Sequence, residues 1–495
     1  MKRPSVVRRG VIFLPGRRVV HSGLFVALLA LVFLLPFPLG SNRIWAWSFE
    51  ALITTVLVMG WVLVCDTHCM QAQRRKIKVA APLWWLSGAW LLWHVLFVVP
   101  MPADWVETLA PAVAAQSASG AVRAVGLSLD RHASVLFLLQ SMFYALFFFI
   151  VYILVDSSRR VWALWWIVFM AAVVQAVYGL WLVSTGSRGL IYGFYDVSAV
   201  SLAGSFVNRN HAVAFLTLGL LSGLALRARM TGRLRDRARS RRLAPPSRGV
   251  QAVRFVTSPV RILDVLLVLV GAAMAATHSR AGLFSAVVAV MVFALLAAPV
   301  RAVKNSNRHD WVKKVLLLTG VLSVTLLVSG ADWLKTGQRL QTTQGQPLAG
   351  ERWLALQQGW RHAGDYWPWG TGGGTYQNFF VLHRHAEQTH YFDHAHNDYL
   401  EFLVESGVGS LIIAAAVLWI FCVSRRAYRR SPRQRPAVAM IFAVGAYFLL
   451  HGLVDFNARI PANVLTAMAL VAGSLGWLGS RQKLAGCARE RNVRK

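Results

Sequence analysis

The sequence predicts an all-α, polytopic integral membrane protein with about twelve transmembrane helices. Three observations carry that prediction. The 495 residues are 56% hydrophobic and only 15% charged, against about 25% charged in an ordinary soluble chain. Apolar runs recur along the whole chain, each near the roughly 20 residues that cross a bilayer. The surplus of 52 Lys and Arg over 20 Asp and Glu, a net charge of +32, falls in alternate loops. The apolar content excludes a disordered chain, and four Cys in 495 residues exclude a disulfide-stapled secreted domain.

The runs lie at 22–40, 46–65, 79–99, 133–155, 161–183, 210–227, 262–278, 281–300, 315–331, 398–423, 437–454 and 460–479. The first follows Lys2, Arg3, Arg8, Arg9, Arg17 and Arg18, as the apolar part of a signal peptide would. Phe37, Pro38, Leu39 and Gly40 offer no small-residue cleavage site, so an uncleaved first helix is expected.

With a cytoplasmic N-terminus, segments 1–21, 66–78, 156–160, 227–261, 301–314, 424–436 and 480–495 lie inside. They hold 40 of the 52 Lys and Arg. The outer segments hold the other 12, with acids in similar number. Each loop therefore obeys the positive-inside rule, and a miscounted span would reverse the alternation downstream. Both termini are expected in the cytoplasm. The organisation that follows is a cytoplasmic N-terminus (1–21), helices one to nine (22–331) with a basic cytoplasmic loop (227–261), a large outer loop (332–397), helices ten to twelve (398–479) and a cytoplasmic tail (480–495). A nucleic-acid partner would need the charge gathered on one module with stacking aromatics, and is not expected. Membrane lipids are: each Arg of the 227–261 loop gains about 1 kcal/mol on an anionic surface.

Cys65, Cys69, Cys422 and Cys487 lie at or beyond inner span ends and are expected to be reduced. Cys65, His68 and Cys69 lack a fourth ligand nearby, so no zinc site is predicted. No internal repeat suggests a two-fold transporter architecture.

The polar chemistry gathers at the outer ends of the spans. Loop 332–397 is too long for a passive connector and holds six of the fourteen His: His362, His383, His385, His390, His394 and His396. Its Gly-rich stretch 368–374 lacks the Lys and Ser/Thr of a nucleotide loop, and is either a tight turn or a backbone cradle for a diphosphate. The two His-x-His pairs are weak metal signals; proton transfer or loop packing is favoured, and neither metal nor cofactor is called. His394, Asp398, Glu401 and Glu405 are spaced to share one face if the chain is helical from His394 onward. Helix capping accounts for Asp398 and Glu401 but leaves Glu405, so this face is expected to meet a wet functional cavity rather than lipid. Asn208, Arg209, Asn210 and His211 open span six. His278, Ser279 and Arg280 form the turn between spans seven and eight, and His451, Asp455, Asn457 and Arg459 close span eleven. These clusters are expected to form one shared site. The other long outer segment, 100–132, is bland.

These residues, in this order, are a recognisable set. The run Gly204, Ser205, Phe206, Val207, Asn208, Arg209, Asn210, His211 comes first, followed by Ser279, Arg280 and Gly282. Arg352 precedes Gly370 and Gly372. His394, His396, Asn397, Asp398, Tyr399, Leu400 and Glu401 lead to Glu405 and Gly407, and His451, Asp455, Phe456, Asn457, Pro461 and Asn463 complete the pattern. Together they resemble the bacterial O-antigen ligase family, whose superfamily includes O-antigen polymerases. The resemblance runs from about span five to span twelve. It implies a metal-independent glycosyltransferase of the bacterial inner membrane, with the large loop in the periplasm over the active site. The implied donor is a glycan on undecaprenyl diphosphate, and the acceptor is a hydroxyl of lipid A–core or, for a polymerase, another lipid-linked repeat unit. Carried over by motif, Arg209 and Arg280 would hold the diphosphate and His396 would be the base. Asn208, Asn210, His211, Arg188, His394, Asp398, Glu401, Glu405, Asp455 and Asn457 are expected to bind substrate. Many members have an Arg two residues before the first motif's Gly, where this chain has Leu202; Arg209 or Arg188 would take its place.

The chemistry suits these residue types independently. Guanidinium groups can stabilise a departing diphosphate bidentately at any relevant pH. A His with a near-neutral pKa can take the proton of an attacking hydroxyl. The nearest rival is polymerisation of lipid-linked repeat units. A transporter of lipid-linked sugars is the rival from a different class, and would require ionisable groups near mid-membrane.

Overall fold

The computed structural model describes residues 15–120, 126–186, 201–241, 258–297, 348–386, 388–430 and 432–493, and every regular element among them is helical. The first eight helices are α1 (Pro15–Leu34), α2 (Ile44–Val64), α3 (Thr67–Val79), α4 (Ala81–Val95), α5 (Ala103–Leu109), α6 (Pro111–Ala118), α7 (Arg131–Leu154) and α8 (Ser158–Thr185). They are followed by α9 (Arg209–Arg241), α10 (Pro259–Ala276), α11 (Arg280–Ala297), α12 (Leu348–Ala363), α13 (Tyr376–His383), α14 (Asp398–Ser406), α15 (Ser410–Arg430), α16 (Arg435–His451) and α17 (Pro461–Val493).

Among the described residues, eight stretches are long and apolar enough to cross a membrane: α2, α7, α8, α9, α10, α11, the Asp398–Arg430 pair and α17. Val19–Leu34 of α1 and all of α16 are shorter apolar helices, and α4 covers the expected third span with 15 residues. The expected ninth span, 315–331, lies outside the described residues.

One apolar core unites α1, α2, α7 to α11, α16 and α17. Small residues set its closest crossings, as expected where packing rather than water expulsion holds helices together. A Cβ on Gly219 of α9 would stand 2.1 Å from the Ala172 Cβ of α8. At one end of the bundle, Lys76 of α3 is buried and donates to the Tyr152 and Ile153 carbonyls, which end α7 and lack partners within that helix. Asp66 caps α3 by accepting from the Cys69 amide at 2.8 Å. Cys65 and Cys69 are joined in a disulfide, which corrects the expectation of reduced thiols; the break between α2 and α3 brings their Cα atoms to 5.3 Å.

Two features of the other end depart from the sequence reading. Segment 100–132 is not a bystander. Val106, Val113, Leu127 and Leu129 build a second core with Tyr376, Phe379, Phe392, Leu400 and Val404, so two separate outer segments fold as one cap. In addition, the tenth run is broken: α14 ends at Ser406, a 3-10 turn spans Gly407–Gly409, and α15 begins at Ser410. Gly407 has φ +50°, and a Cβ there would lie 2.0 Å from the Pro368 carbonyl oxygen. The glycine-rich loop occupies that space. Its Thr371 and Gly372 amides donate to the Val404 and Glu405 carbonyls at 2.8 and 2.9 Å, and Val408 N donates to the Pro368 carbonyl. The glycine run is therefore a tight turn that closes a broken helix, and those two amides are not available to cradle a diphosphate.

Candidate active site

The site is built on the turn between α16 and α17. Asn397 caps α14 by accepting from Leu400 N at 2.9 Å, while its amide donates to the Leu453 carbonyl. Asp398 N donates to the Gly452 carbonyl, and its carboxylate accepts from Ala458 N at 3.2 Å. The 393–398 segment is thus pinned along the 452–458 turn. The helix begins at Asp398 rather than at His394, so His394 and His396 sit on the bent, non-helical chain before it, His396 in the left-handed region with φ +48°. A non-glycine residue in that region costs of order 1–3 kcal/mol unless its surroundings hold it, and such residues concentrate at functional sites.

Asp455 is the hub. It is 1% exposed. One oxygen lies 3.4 Å from His396 Nδ1 and 3.9 Å from His211 Nε2; the other accepts from the Asn210 amide at 2.5 Å. Burial pushes its carboxyl pKa up, but the hydrogen bond from His396 and the charges of His211, His396 and His451 outweigh this and hold it well below the carboxylate range. Asp455 is therefore an anion. Phe456 fills the space between the rings, stacked on His394 at 4.2 Å and edge-on to His211 and His396 at 4.8 and 4.9 Å. Asn208 accepts from Asn210 N at 2.8 Å, shaping the start of α9.

A second group lies directly behind. Glu401 accepts from His394 Nδ1 at 2.8 Å and from Ala395 N at 2.9 Å, and pairs with Arg459 Nε at 3.0 Å. Glu405 accepts from Tyr376 N and meets Arg459 Nη2 at 2.6 Å. Arg459, its side chain 8% exposed, lies between the Phe402 and Phe137 rings, and its neighbouring carboxylates raise its pKa despite the desolvation. Asp398, Glu401 and Glu405, expected to face a wet cavity, are all buried and turned onto protein partners. Their physical reason is Arg459, which the sequence placed in the shared outer cluster without identifying these carboxylates as its partners. An Arg between two spans, two residues before Pro461, was the signal available. Asn457 is likewise internal: it donates to His451 Nδ1 and accepts from Asn463, which also reaches the His211 carbonyl.

Burial lowers the His394 pKa, but the charge and hydrogen bond of Glu401 more than reverse this, and it is raised above 6.5. His394 is thus biased toward imidazolium and is a donor rather than a base. The stability from this pair is complete below the ordinary pKa and is lost as pH rises through the raised folded value. The melting-temperature gap between wild type and His394→Gln is expected to shrink as pH rises above 6.5; a constant gap would reject the ion pair.

Arg209 and Arg280 open α9 and α11, whose first turns touch so closely that a Cβ on Gly282 would lie 2.2 Å from Val213. Both guanidinium groups belong to exposed residues at that corner. Arg280 follows His278, which has φ +52°. Leu202 is a core residue seated on Gly179, and Arg188 lies outside the described residues. The structure therefore brings Asn208, Asn210, His211, His394, His396, Asp455 and Asn457 together, and places Arg209 and Arg280 at one corner. Asp398, Glu401 and Glu405 form the support behind.

Residues 265–415 match a family model described as O-antigen ligase. The match spans Arg280, His394, His396 and the three carboxylates of α14. It excludes Arg209 and the Asp455 turn. No curated protein matches the chain.

Proposed function

Since residues 265–415 match a family model described as O-antigen ligase, we propose that the chain is a member of that family and an inverting glycosyltransferase moving a glycan from undecaprenyl diphosphate to an acceptor hydroxyl. The setting is the periplasmic face of the bacterial inner membrane, with both termini in the cytoplasm. The observation that carries this reading is the pairing of His396 with the buried Asp455 anion. When Nδ1–H points to Asp455, Nε2 is the basic nitrogen. The 3.4 Å separation is long, as such contacts often are before substrate arrives. Nε2 takes the proton as the acceptor oxygen attacks the anomeric carbon; the bond from that carbon to the diphosphate oxygen breaks, and the diphosphate leaves with the electron pair. Arg209 and Arg280, exposed at one corner, meet the charge that develops. The imidazolium formed on His396 is stabilised by Asp455. No residue role here calls for a metal.

The test is a product assay with purified protein, a defined lipid-linked oligosaccharide and excess chelator. Full turnover in chelator is expected, and loss that added metal restores would overturn the metal-free mechanism. Product on lipid A–core identifies a ligase, whereas longer lipid-linked chains without it identify a polymerase. Arg280→Lys is expected to lose at least tenfold in kcat/KM, because an ammonium cannot reproduce the guanidinium fork; unchanged kinetics would remove Arg280 from the clamp.

A further inference from the structure

The turn between α1 and α2 holds a buried acid that takes no part in the proposed transfer. Leu39, Gly40 and Ser41 run through the left-handed region with φ +55°, +67° and +57°. Two of the three are not glycine, and such a run persists only where its surroundings hold it. Ser41 is buried, and its hydroxyl lies within hydrogen-bond reach of two groups, the Leu35 carbonyl at 2.6 Å and the Glu50 carboxyl of α2. A hydroxyl has one hydrogen to give, while a carbonyl and an ionised carboxylate have none. Both contacts are satisfied only when Glu50 carries a proton: its O–H donates to Ser41 Oγ, and Ser41 donates to the Leu35 carbonyl. The surroundings fit an uncharged acid. Glu50 is 4% exposed, its other oxygen has no hydrogen-bond partner, and no cation faces it among the described residues. A carboxylate there would be an unpaired charge in a dry interior, which favours the neutral form. From α7 the titratable group that faces it is the Tyr144 hydroxyl. His21 of α1 is committed to Arg160, and α17, which packs on the same turn, has no titratable side chain from Pro461 to Ser480.

What this turn supports is the approach to α9. The Pro36 carbonyl accepts from Ser205 Oγ. Gln175 of α8 clasps the same serine, accepting from its amide at 3.0 Å and donating to its hydroxyl at 2.7 Å. Gly40 lies so close to the Phe206 ring that a Cβ there would stand 2.5 Å from it. Phe206 is itself a core residue, its ring 5.7 Å from that of Phe215 on α9. Two residues on, Asn208 shapes the first turn of α9, where Arg209 stands and Asn210 donates to Asp455. A continuous line of contacts thus joins Glu50 to the candidate site through Ser41, Gly40, Phe206 and Asn208. If Glu50 lost its proton, the single Ser41 hydrogen would turn to the carboxylate. The Leu35 carbonyl would lose its donor, and the left-handed turn beside Phe206 would lose one of its holds.

We propose that Glu50 is a positioning residue of the candidate site: as a protonated acid it fixes the 39–41 turn against Phe206, and loss of its proton releases the start of α9. The consequence is an alkaline limit on activity that is set in the α1–α2 turn rather than at His396. The part that concerns activity rests on the reading of the protein as a glycosyltransferase, whereas the lock itself can be read without turnover. Full-length protein in nanodiscs, with 4-fluorophenylalanine in place of Phe206, is followed by fluorine NMR as pH is raised. In the wild type the resonance should move from a locked to a released position. In Glu50→Gln, whose amide donates to Ser41 at every pH, it should stay at the locked position. Ser41→Ala, which leaves the carboxyl in place and serves as the test should Glu50→Gln fail to fold, should show the released position already at neutral pH. The infrared difference spectrum between wild type and Glu50→Gln at neutral pH should contain the carbonyl band of a protonated acid. In turnover, kcat/KM of the wild type should fall about tenfold for each further pH unit once the proton is lost. Glu50→Gln should match the wild type at neutral pH and hold its rate across that range. A resonance that moves alike in wild type and Glu50→Gln, a carboxylate band in place of an acid band, or an alkaline fall unchanged by Glu50→Gln would each overturn the assignment. A Glu50-dependent resonance shift in protein that turns over no donor would instead reject the enzymatic reading and leave the lock standing.

Discussion

Replacing His396 by Ala is expected to lower turnover by about 10²–10⁴-fold, the usual contribution of a positioned general base, while binding of the lipid-linked donor persists. His396 is the group that Asp455 holds at 3.4 Å, whereas His394 is committed to Glu401 at 2.8 Å and carries a raised pKa. The two histidines are two residues apart but have different carboxylate partners, Glu401 and Asp455. Asp455→Asn should keep the packing and lose most of the rate, since an amide orients the ring but cannot stabilise its protonated form. Single-turnover assays with a radiolabelled donor measure both variants. Near-normal turnover in His396→Ala would move the base elsewhere, and His394 would be the next residue to test.

The second large effect is on stability. Arg459→Met should cost about 3–5 kcal/mol, the loss typical of a buried charge cluster deprived of one partner. Glu401 and Glu405 are both about 1% exposed, and without the guanidinium they would face each other across a dry interior. The damage should extend to activity, since Glu401 also holds His394 and the Ala395 amide. The remedy is specific: adding Glu401→Gln and Glu405→Gln to Arg459→Met should recover much of the melting temperature, because no uncompensated charge is then left buried. Thermal unfolding of the detergent-solubilised variants reads this directly. If Arg459→Met melts with the wild type, the cluster is not what holds α14 against the 452–460 turn.

Much of the site's membership was legible in the sequence, and much of its internal division of labour was not. His396, Asp455, Asn210 and His211 were identifiable because polar side chains at the ends of apolar runs stand out against hydrocarbon. Their convergence followed from lying on one side of the chain's alternation. Glu401 and Glu405 were assigned to a wet face because helical spacing reports which residues share a face but not what that face meets. Arg459, 58 residues beyond Glu401 in the chain, supplies what it meets, and periodicity carries no information about so distant a partner. The same reason hid the role of segment 100–132. Its residues have no motif of their own and matter only as the other half of a core with Tyr376, Phe392 and Leu400.

By itself the sequence determined that the chain is helical and membrane-spanning, and where its polar clusters lie along the apolar runs. Those properties are written in local composition: the length of apolar runs, and the residue types that hydrocarbon does not tolerate. Tertiary structure decided that Asp398, Glu401 and Glu405 are buried against protein partners and that His394 and His396 have separate ones. It also decided that the glycine run closes the break in the tenth span, spending its Thr371 and Gly372 amides on backbone carbonyls there. Each of those outcomes depends on which buried charge or backbone group finds a partner from a distant segment. In a dry interior an unpaired group costs several kcal/mol, so pairing across the fold, not position along the chain, sets what each residue can do.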